Sequence, residues 1–184
     1  MLLLSSISLI ILLGIVFFIF KDGVAAFIEN GVGGFLFGTE WSLRKEEFGI
    51  LPLIMGSIYV TLGTLVIATP LGIACAIFLA EVAPYRVRQV VRPAIDLLVG
   101  IPSVVYGLVG MIWLVPLIRN YFGGPGYSLL AAIIVLTIMV LPTIVSISED
   151  SLRSVPRAYK EGALALGATH WQAIWRVTLP AARS

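Results

Sequence analysis

The stretch 51-LPLIMGSIYVTLGTLVIATPLGIACAIFLA-80 contains no Asp, Glu, Lys or Arg. About 20 mostly apolar residues carry a helix across ~30 Å of hydrocarbon. Inside that hydrocarbon a helix satisfies its backbone N–H and C=O groups by itself. This stretch therefore predicts a transmembrane helix over about residues 51–80 and makes the bilayer the solvent in which the fold must be read.

Moving outward from it, three more charge-free stretches are long enough to span: residues 2–20, residues 97–118 with a start near 95, and a fourth inside 120–148, from about 128. The expected fold class is an all-α membrane protein with four spans, followed by a polar tail from about residue 149 to 184. Composition agrees. The chain has 184 residues, 59% hydrophobic and 12% charged, with a mean hydropathy of +1.05, whereas globular domains carry about 25% charged residues. Soluble enzymes, nucleic-acid binders and disordered regulators are excluded as first readings. The net charge of +2 is too small to suggest a polyanionic partner. One cysteine, Cys75, and one histidine, His170, offer no disulfide, metal cluster or thiol–imidazole pair.

The first stretch lacks the basic start, the short apolar region and the small-residue cleavage site of a secretory signal, so it reads as a retained span. It starts directly at Met1 with no polar lead, so the N-terminus is expected to be incomplete. Four crossings place both ends of the chain on one side. The loop before residue 97 and the tail after 148 hold eight basic residues: Arg86, Arg88, Arg92, Arg153, Arg157, Lys160, Arg176 and Arg183. The opposite side holds four, Lys21, Arg44, Lys45 and Arg119. The positive-inside rule then puts both ends in the cytoplasm, although Lys21 pulls locally the other way. Ala83-Pro84 and Arg92-Pro93 bracket the inner loop as places where helices stop and restart, and Gly123-Gly124-Pro125-Gly126 marks an outer turn.

Pro70, Pro102, Pro116 and Pro142 interrupt or flank the spans, where each frees a carbonyl that lipid cannot satisfy. Gly100, Ser103, Gly107 and Gly110 form a small-residue stripe on the third span. Ser57, Thr61, Thr64 and Ala68 form another on the second. Such stripes serve close helix packing or line a solute path. No ionisable residue lies in the middle of a span, which argues against a proton relay or a voltage sensor. A charged solute would have to meet hydroxyls such as Thr61, Ser103 and Tyr106, backbone groups freed near Pro102, or another chain.

The tail is more specific. Ser154-Val155-Pro156 reads as a helix start, Gly167 as a stop, and Thr169-His170-Trp171-Gln172 as a capping box opening a second short helix. Trp171, Ile174, Trp175 and Thr178 share one face of that helix, and Pro180 stands where it should end. Such a pair of helices could lie on headgroups or dock on a soluble partner.

Glu161-Gly162-Ala163, with Gly167 six positions after the Glu, then Ile174 and Leu179-Pro180, resembles the EAA loop of binding-protein-dependent ABC importer permeases. The second position is Gly162 where the pattern has Ala. Upstream, residues 48–52 (FGILP), Pro70-Leu71-Gly72, residues 79–84 (LAEVAP) and residues 100–107 (GIPSVVYG) resemble the phosphate-importer permeases, particularly the PstC type.

That resemblance implies a six-span MetI-like permease fold of which this chain holds four spans and the EAA loop, so that two spans are expected beyond residue 184. It implies a multi-pass protein of a bacterial or archaeal plasma membrane. Its partners would be a second permease subunit, cytoplasmic ATPase subunits that hold ATP and Mg, an external phosphate-binding protein and membrane lipid, with no nucleic acid. This chain would bind no cofactor and would not be an enzyme. Glu161 would act at the ATPase, Ala163 and Gly167 would pack closely, and Trp171, Ile174 and Leu179 would hold the loop against the spans. Glu161 as an ordinary solvated charge, and Trp171 with Trp175 as interfacial anchors, stay open. So do a different oxyanion or small solute, and a non-transporting membrane scaffold.

Overall fold

The computed structural model describes residues 2–42 and 47–183. Arg44 and Lys45, half of the outer basic count, lie outside the described residues. The chain forms two compact units, Met1–Ile58 and Tyr59–Ser184.

In the first unit, helix α1 (Leu2–Asn30) holds the first expected span and runs ten residues past its predicted end. Its described apolar stretch is Ser5–Lys21. Gly31, at φ +68°, separates it from α2 (Val32–Phe37). A two-stranded antiparallel ribbon follows, β1 (Trp41–Ser42) against β2 (Glu47–Phe48), pairing Trp41 with Phe48. Their rings meet edge to face at 5.4 Å. Ile50 N–H donates to Phe35 O at 2.9 Å, tying the ribbon's exit to α2.

Helix α3 (Leu51–Ile77) continues through a π turn, Phe78–Val82, as one apolar run. An amphipathic helix, α4 (Tyr85–Val99), follows. The next span is built from α5 (Ser103–Val109), a π turn (Gly110–Leu114) and α6 (Val115–Phe122). Then come α7 (Leu129–Ser154) and α8 (Arg157–Ala165). The last helix comprises α9 (His170–Ala173), a π turn (Ile174–Thr178) and α10 (Leu179–Ala182). Among the described residues, Leu51–Val82, Ser103–Phe122 and Leu129–Ser154 are long and apolar enough to cross a bilayer. Much of their outward surface is exposed apolar side chain, for example Val66, Leu108 and Trp113, as expected of helices that face lipid or other membrane helices.

Two boundaries differ from expectation. The third span starts at Ser103, not near 95, because the chain breaks at Gly100–Pro102 and residues 95–99 complete α4. Tyr106 closes that break, its hydroxyl donating to Leu98 O at 3.0 Å. Pro93 does not stop a helix; it lies inside α4, whose hold on α7 outweighs one lost backbone bond.

All three π turns end two residues before a proline. Ala83 N–H donates to Phe78 O ahead of Pro84, Val115 to Gly110 O ahead of Pro116, and Leu179 to Ile174 O ahead of Pro180. A proline ring crowds the carbonyl four residues back, and a wider turn relieves that crowding. The carbonyls it strands need donors, and at the first turn Arg88 provides them. Its Nε reaches Leu79 O at 2.8 Å and its Nη2 reaches Ala80 O at 2.8 Å. For the same reason Pro180 does not end the last helix, which continues to Ala182.

The packing seam of α3 is Thr64, Ala68, Gly72 and Ala76, one small residue every fourth position and all buried. Thr61 and Ser57 are exposed. A Cβ on Gly72 would stand 2.5 Å from Ile144 Cγ2, one on Gly63 2.5 Å from Ile133 Cδ1, and one on Gly110 2.5 Å from Val135 Cγ2. All three partners lie on α7, which is therefore the helix that the two other spans of this unit approach most closely.

Candidate functional site where the tail meets the spans

Helix α7 closes at Ser154, whose hydroxyl donates to Ser151 O at 2.7 Å, so Ser154 terminates the span and does not cap the tail helix. Val155 precedes a proline and is extended, at φ −65° and ψ 126°. The chain turns there and α8 begins at Arg157.

Helix α8 ends in a left-handed turn. Gly167 has φ +85°, and Ala168 N–H donates back to Ala163 O at 3.1 Å, the six-to-one bond of a glycine-terminated helix. A Cβ on Gly167 or on Gly162 would meet open space. Gly167 is thus selected by backbone conformation and not by close packing within this chain. The predicted capping box is present: Gln172 N–H donates to Thr169 Oγ1 at 3.3 Å and Thr169 N–H to Gln172 Oε1 at 2.9 Å.

The helix so started drives Ile174 into the protein. Ile174 is fully buried among Ala76, Ile77, Leu79, Ala83, Val145 and Leu152, with Leu179 and Ala182 packed at the edge. Burying such a side chain is worth ~1.5–3 kcal/mol. The buried face is Ala173, Ile174 and Thr178. Trp171 and Trp175 stand outside it, half exposed and edge to face at 6.3 Å. The single face expected for Trp171, Ile174, Trp175 and Thr178 is therefore split, because the π turn departs from the 3.6-residue period on which that grouping rests. Pro180 is exposed and Leu179 partly buried.

Glu161 is exposed on α8 and makes no ion pair or hydrogen bond among the described residues, while Ala163 is half-buried. Of the candidate pathway residues, Gly100, Pro102, Ser103 and Thr61 are exposed, and Tyr106 and Gly107 are half-buried. A Cβ on Gly107 would meet nothing within 4 Å, so the packing role of that stripe falls to Gly110. Five of them share the stretch from the Gly100–Pro102 break into α5, and Thr61 lies apart on α3.

The structure also gathers a set of charges that sequence reading did not assign. Glu149, completely buried near the C-terminal end of α7, has Arg92 Nη1 2.9 Å from its Oε2 and Arg153 Nη2 2.6 Å from its Oε1. The second contact lacks the direction of a hydrogen bond. Arg92 also grips Asp150 with two nitrogens, at 2.9 and 3.0 Å, and donates to Ser146 Oγ at 3.3 Å. Hydrogen bonding to Asp150 foremost, then to Glu149, holds the Arg92 guanidinium protonated far above its ordinary range, against the cost of its desolvation. Lys160 on α8 pairs with Glu81 in the π turn that ends the first of these spans. The Arg153 contact stays within α7, while the Arg92 and Lys160 pairs cross from one element to another: α4 to α7, and α8 to the foot of α3. The available signal was the run Glu149-Asp150 with Arg153 at the foot of an apolar helix, where charges buried among helix ends need partners.

The family described as binding-protein-dependent transport system inner membrane component matches residues 68–184. A Bacillus subtilis protein described as probable ABC transporter permease protein YqgH is 47% identical over 183 residues, covering 97% of this chain and 57% of its own length. The phosphate transport system permease protein PstC of Xylella fastidiosa (strain 9a5c) is 39% identical over 170 residues, 82% of this chain and 52% of that protein. Among solved structures, a chain of the MetNI methionine ABC transporter in an inward-facing conformation superposes with a TM-score of 0.52 at 26% identity, covering 71% of this chain and 58% of that one. The chain spans little more than half the length of the curated relatives it matches.

Proposed function

From the premise that this chain belongs to the binding-protein-dependent transport system inner membrane components, we propose that it is part of the permease of an ATP-driven importer of inorganic phosphate. Multi-pass membrane character follows from the family and from the apolar helices. The observation that carries the mechanism is the seating of the tail. Ile174 is locked into the inner ends of α3 and α7, while Glu161, one helix away, is exposed and has no partner among the described residues. A segment anchored on one side and free on the other is built to pass motion between the spans and something docked beneath them.

In this reading the tail faces the cytoplasm, with both ends of this chain, and α8 meets an ATPase subunit that holds ATP and Mg. Glu161, Gly162, Ala163 and Gly167 form the docking side. Ile174, Leu179 and Pro180 form the anchored side. Closure of the ATPase pair moves α8, and the Lys160–Glu81 and Arg92–Glu149 pairs carry the motion to α3, α4 and α7. Shifting a two-state gate from 1:99 to 99:1 takes about 5.5 kcal/mol of differential binding, which nucleotide-driven closure would supply. A second permease subunit completes the path, and an external binding protein delivers the solute. Phosphate is proposed because relatives at 34–39% identity carry the name phosphate transport permease. Thr61, Ser103 and Tyr106, with backbone freed beside Pro102, are the polar groups this chain would contribute.

The test is ATP-dependent uptake of radiolabelled phosphate into vesicles holding the full-length permease with its partner subunits and binding protein. Uptake that unlabelled phosphate competes and sulfate or molybdate does not supports the reading. Uptake competed only by another oxyanion would replace the substrate. ATP-independent behaviour with no uptake would favour the scaffold.

A further inference from the structure

Helix α4 is joined to the span before it by Ala83-Pro84 and to the span after it by Gly100–Pro102. Its 15 residues, at 1.5 Å each, make it about 22 Å long. Neither connection is long enough to carry it away from the ends of those two spans, so it lies along one edge of the membrane. Arg92, at its middle, reaches Ser146, Glu149 and Asp150, the polar turn that follows the apolar run of α7. That contact sets the helix at the depth where hydrocarbon gives way to headgroups.

Three strips run along α4. Arg88, Val91, Arg92 and Ile95, at i, i+3, i+4 and i+7, are half-buried, and Val91 and Ile95 pack on the core that holds Ile174. Tyr85, Gln89 and Asp96 form an exposed polar strip, in which Gln89 Nε2 donates to the Tyr85 hydroxyl at 2.9 Å. On the side away from that strip stand Val87, Val90, Ala94, Leu97 and Leu98, apolar and exposed, Val90 by 72% and Leu97 by 76%. A helix with this division lies in the plane of the interface, its apolar side sunk about 5–10 Å into the boundary between headgroups and acyl chains.

Two further observations point to lipid as the occupant. The apolar strip continues a surface of the same kind, because Val82 before α4 and Val104 and Leu108 after it are exposed apolar side chains of the adjoining spans. The N-terminal end of α4 also keeps positive charge. Arg86 is exposed and has no partner among the described residues, and Arg88 donates to the uncharged carbonyls of Leu79 and Ala80. We propose that α4 is a membrane-surface helix whose strip of Val87, Val90, Ala94, Leu97 and Leu98 is covered by phospholipid, with Arg86 offered to the headgroup phosphates. The inference rests on the membrane character of the chain and stands whether or not the imported solute is phosphate.

The experiment places a nitroxide on single cysteines, Val90→Cys, Leu97→Cys or Gln89→Cys, in a Cys75→Ala background. The full-length permease, assembled with its partner subunits, is held in nanodiscs of phosphatidylcholine and phosphatidylglycerol. Electron paramagnetic resonance then compares collision of each label with oxygen, which concentrates in lipid, and with a water-soluble nickel chelate. The expected ratio of oxygen to nickel collision is several-fold higher at residues 90 and 97 than at residue 89. Arg86→Glu, which turns the headgroup contact repulsive, lowers the ratio at residue 90. Equal ratios at all three positions mean that the helix stands in water and overturn the proposal. So does shielding of residues 90 and 97 from both reagents, which means that protein covers the strip. A ratio at residue 90 that Arg86→Glu leaves unchanged overturns the headgroup contact.

Discussion

Arg92 and Glu149, fifty-seven residues apart in the chain, meet at 2.9 Å where α4 crosses the C-terminal end of α7. Glu149 is completely buried, so its charge depends on partners, and Arg92 is the one that also binds Asp150 and Ser146. Removing one member of a buried pair typically costs about 3–5 kcal/mol because the other is left uncompensated. Arg153 remains beside Glu149 Oε1, which places the loss for Arg92→Ala toward the lower end. Arg92→Ala should lower the thermal midpoint of the purified protein, and Arg92→Ala with Glu149→Gln should lower it less. A double variant as damaged as the sum of the two single ones would show that the pair is not coupled.

Two glycines that look alike in sequence should behave differently. Gly72 faces Ile144 so closely that any side chain must displace it, whereas a side chain on Gly107 enters open space. Overpacking costs about 1–3 kcal/mol. Gly72→Leu should reduce the stability of the permease itself, read by its melting in detergent. Gly107→Leu should leave that melting unchanged and reduce co-purification of a second permease subunit, if that subunit occupies the open face. A matched loss of stability for both would contradict the packing described here.

The features legible in the sequence were those whose causes are local. The apolar run over 51–80 had to cross a membrane, the Gly-rich turn at 123–126 had to bend, and Thr169 with Gln172 had to start a helix. The residues that join elements were not legible. Arg92, Glu149 and Asp150 each look like solvated charges until α4 is laid on α7. The split of Trp171 from Ile174 follows from a π turn, and a period count assumes that no such turn is present. Of the stripe Ser57, Thr61, Thr64 and Ala68, only Thr64 and Ala68 belong to the buried ladder that runs on to Gly72 and Ala76, because sequence alone does not show which face α7 covers.

The joint between α8 and the last helix rests on two local devices that can be removed separately. Gly167→Ala places a Cβ in the left-handed region, at about 1–2 kcal/mol, although nothing crowds it. Thr169→Ala removes the acceptor for Gln172 N–H, at about 1 kcal/mol. Each should speed proteolytic cleavage between α8 and the last helix while leaving the burial of Ile174 intact. Equal cleavage in wild type and both variants would mean that the anchored side alone sets the joint.

Glu161 tests whether motion leaves the protein at this point. It is exposed and unpaired among the described residues, so replacing it disturbs no internal contact. An exposed surface change of this kind ordinarily alters stability by less than about 0.5 kcal/mol. Glu161→Lys reverses the charge offered to a docked subunit and leaves Ile174 seated. The expected result is normal membrane insertion and melting, continued ATP hydrolysis by the assembled complex, and phosphate uptake reduced at least about tenfold, equivalent to 1.4 kcal/mol of lost coupling. The ratio of phosphate taken up to ATP hydrolysed is the quantity to measure, because a merely destabilised protein lowers both together. An unchanged ratio at full uptake would mean that Glu161 is an ordinary solvated charge and that coupling runs through another part of the tail.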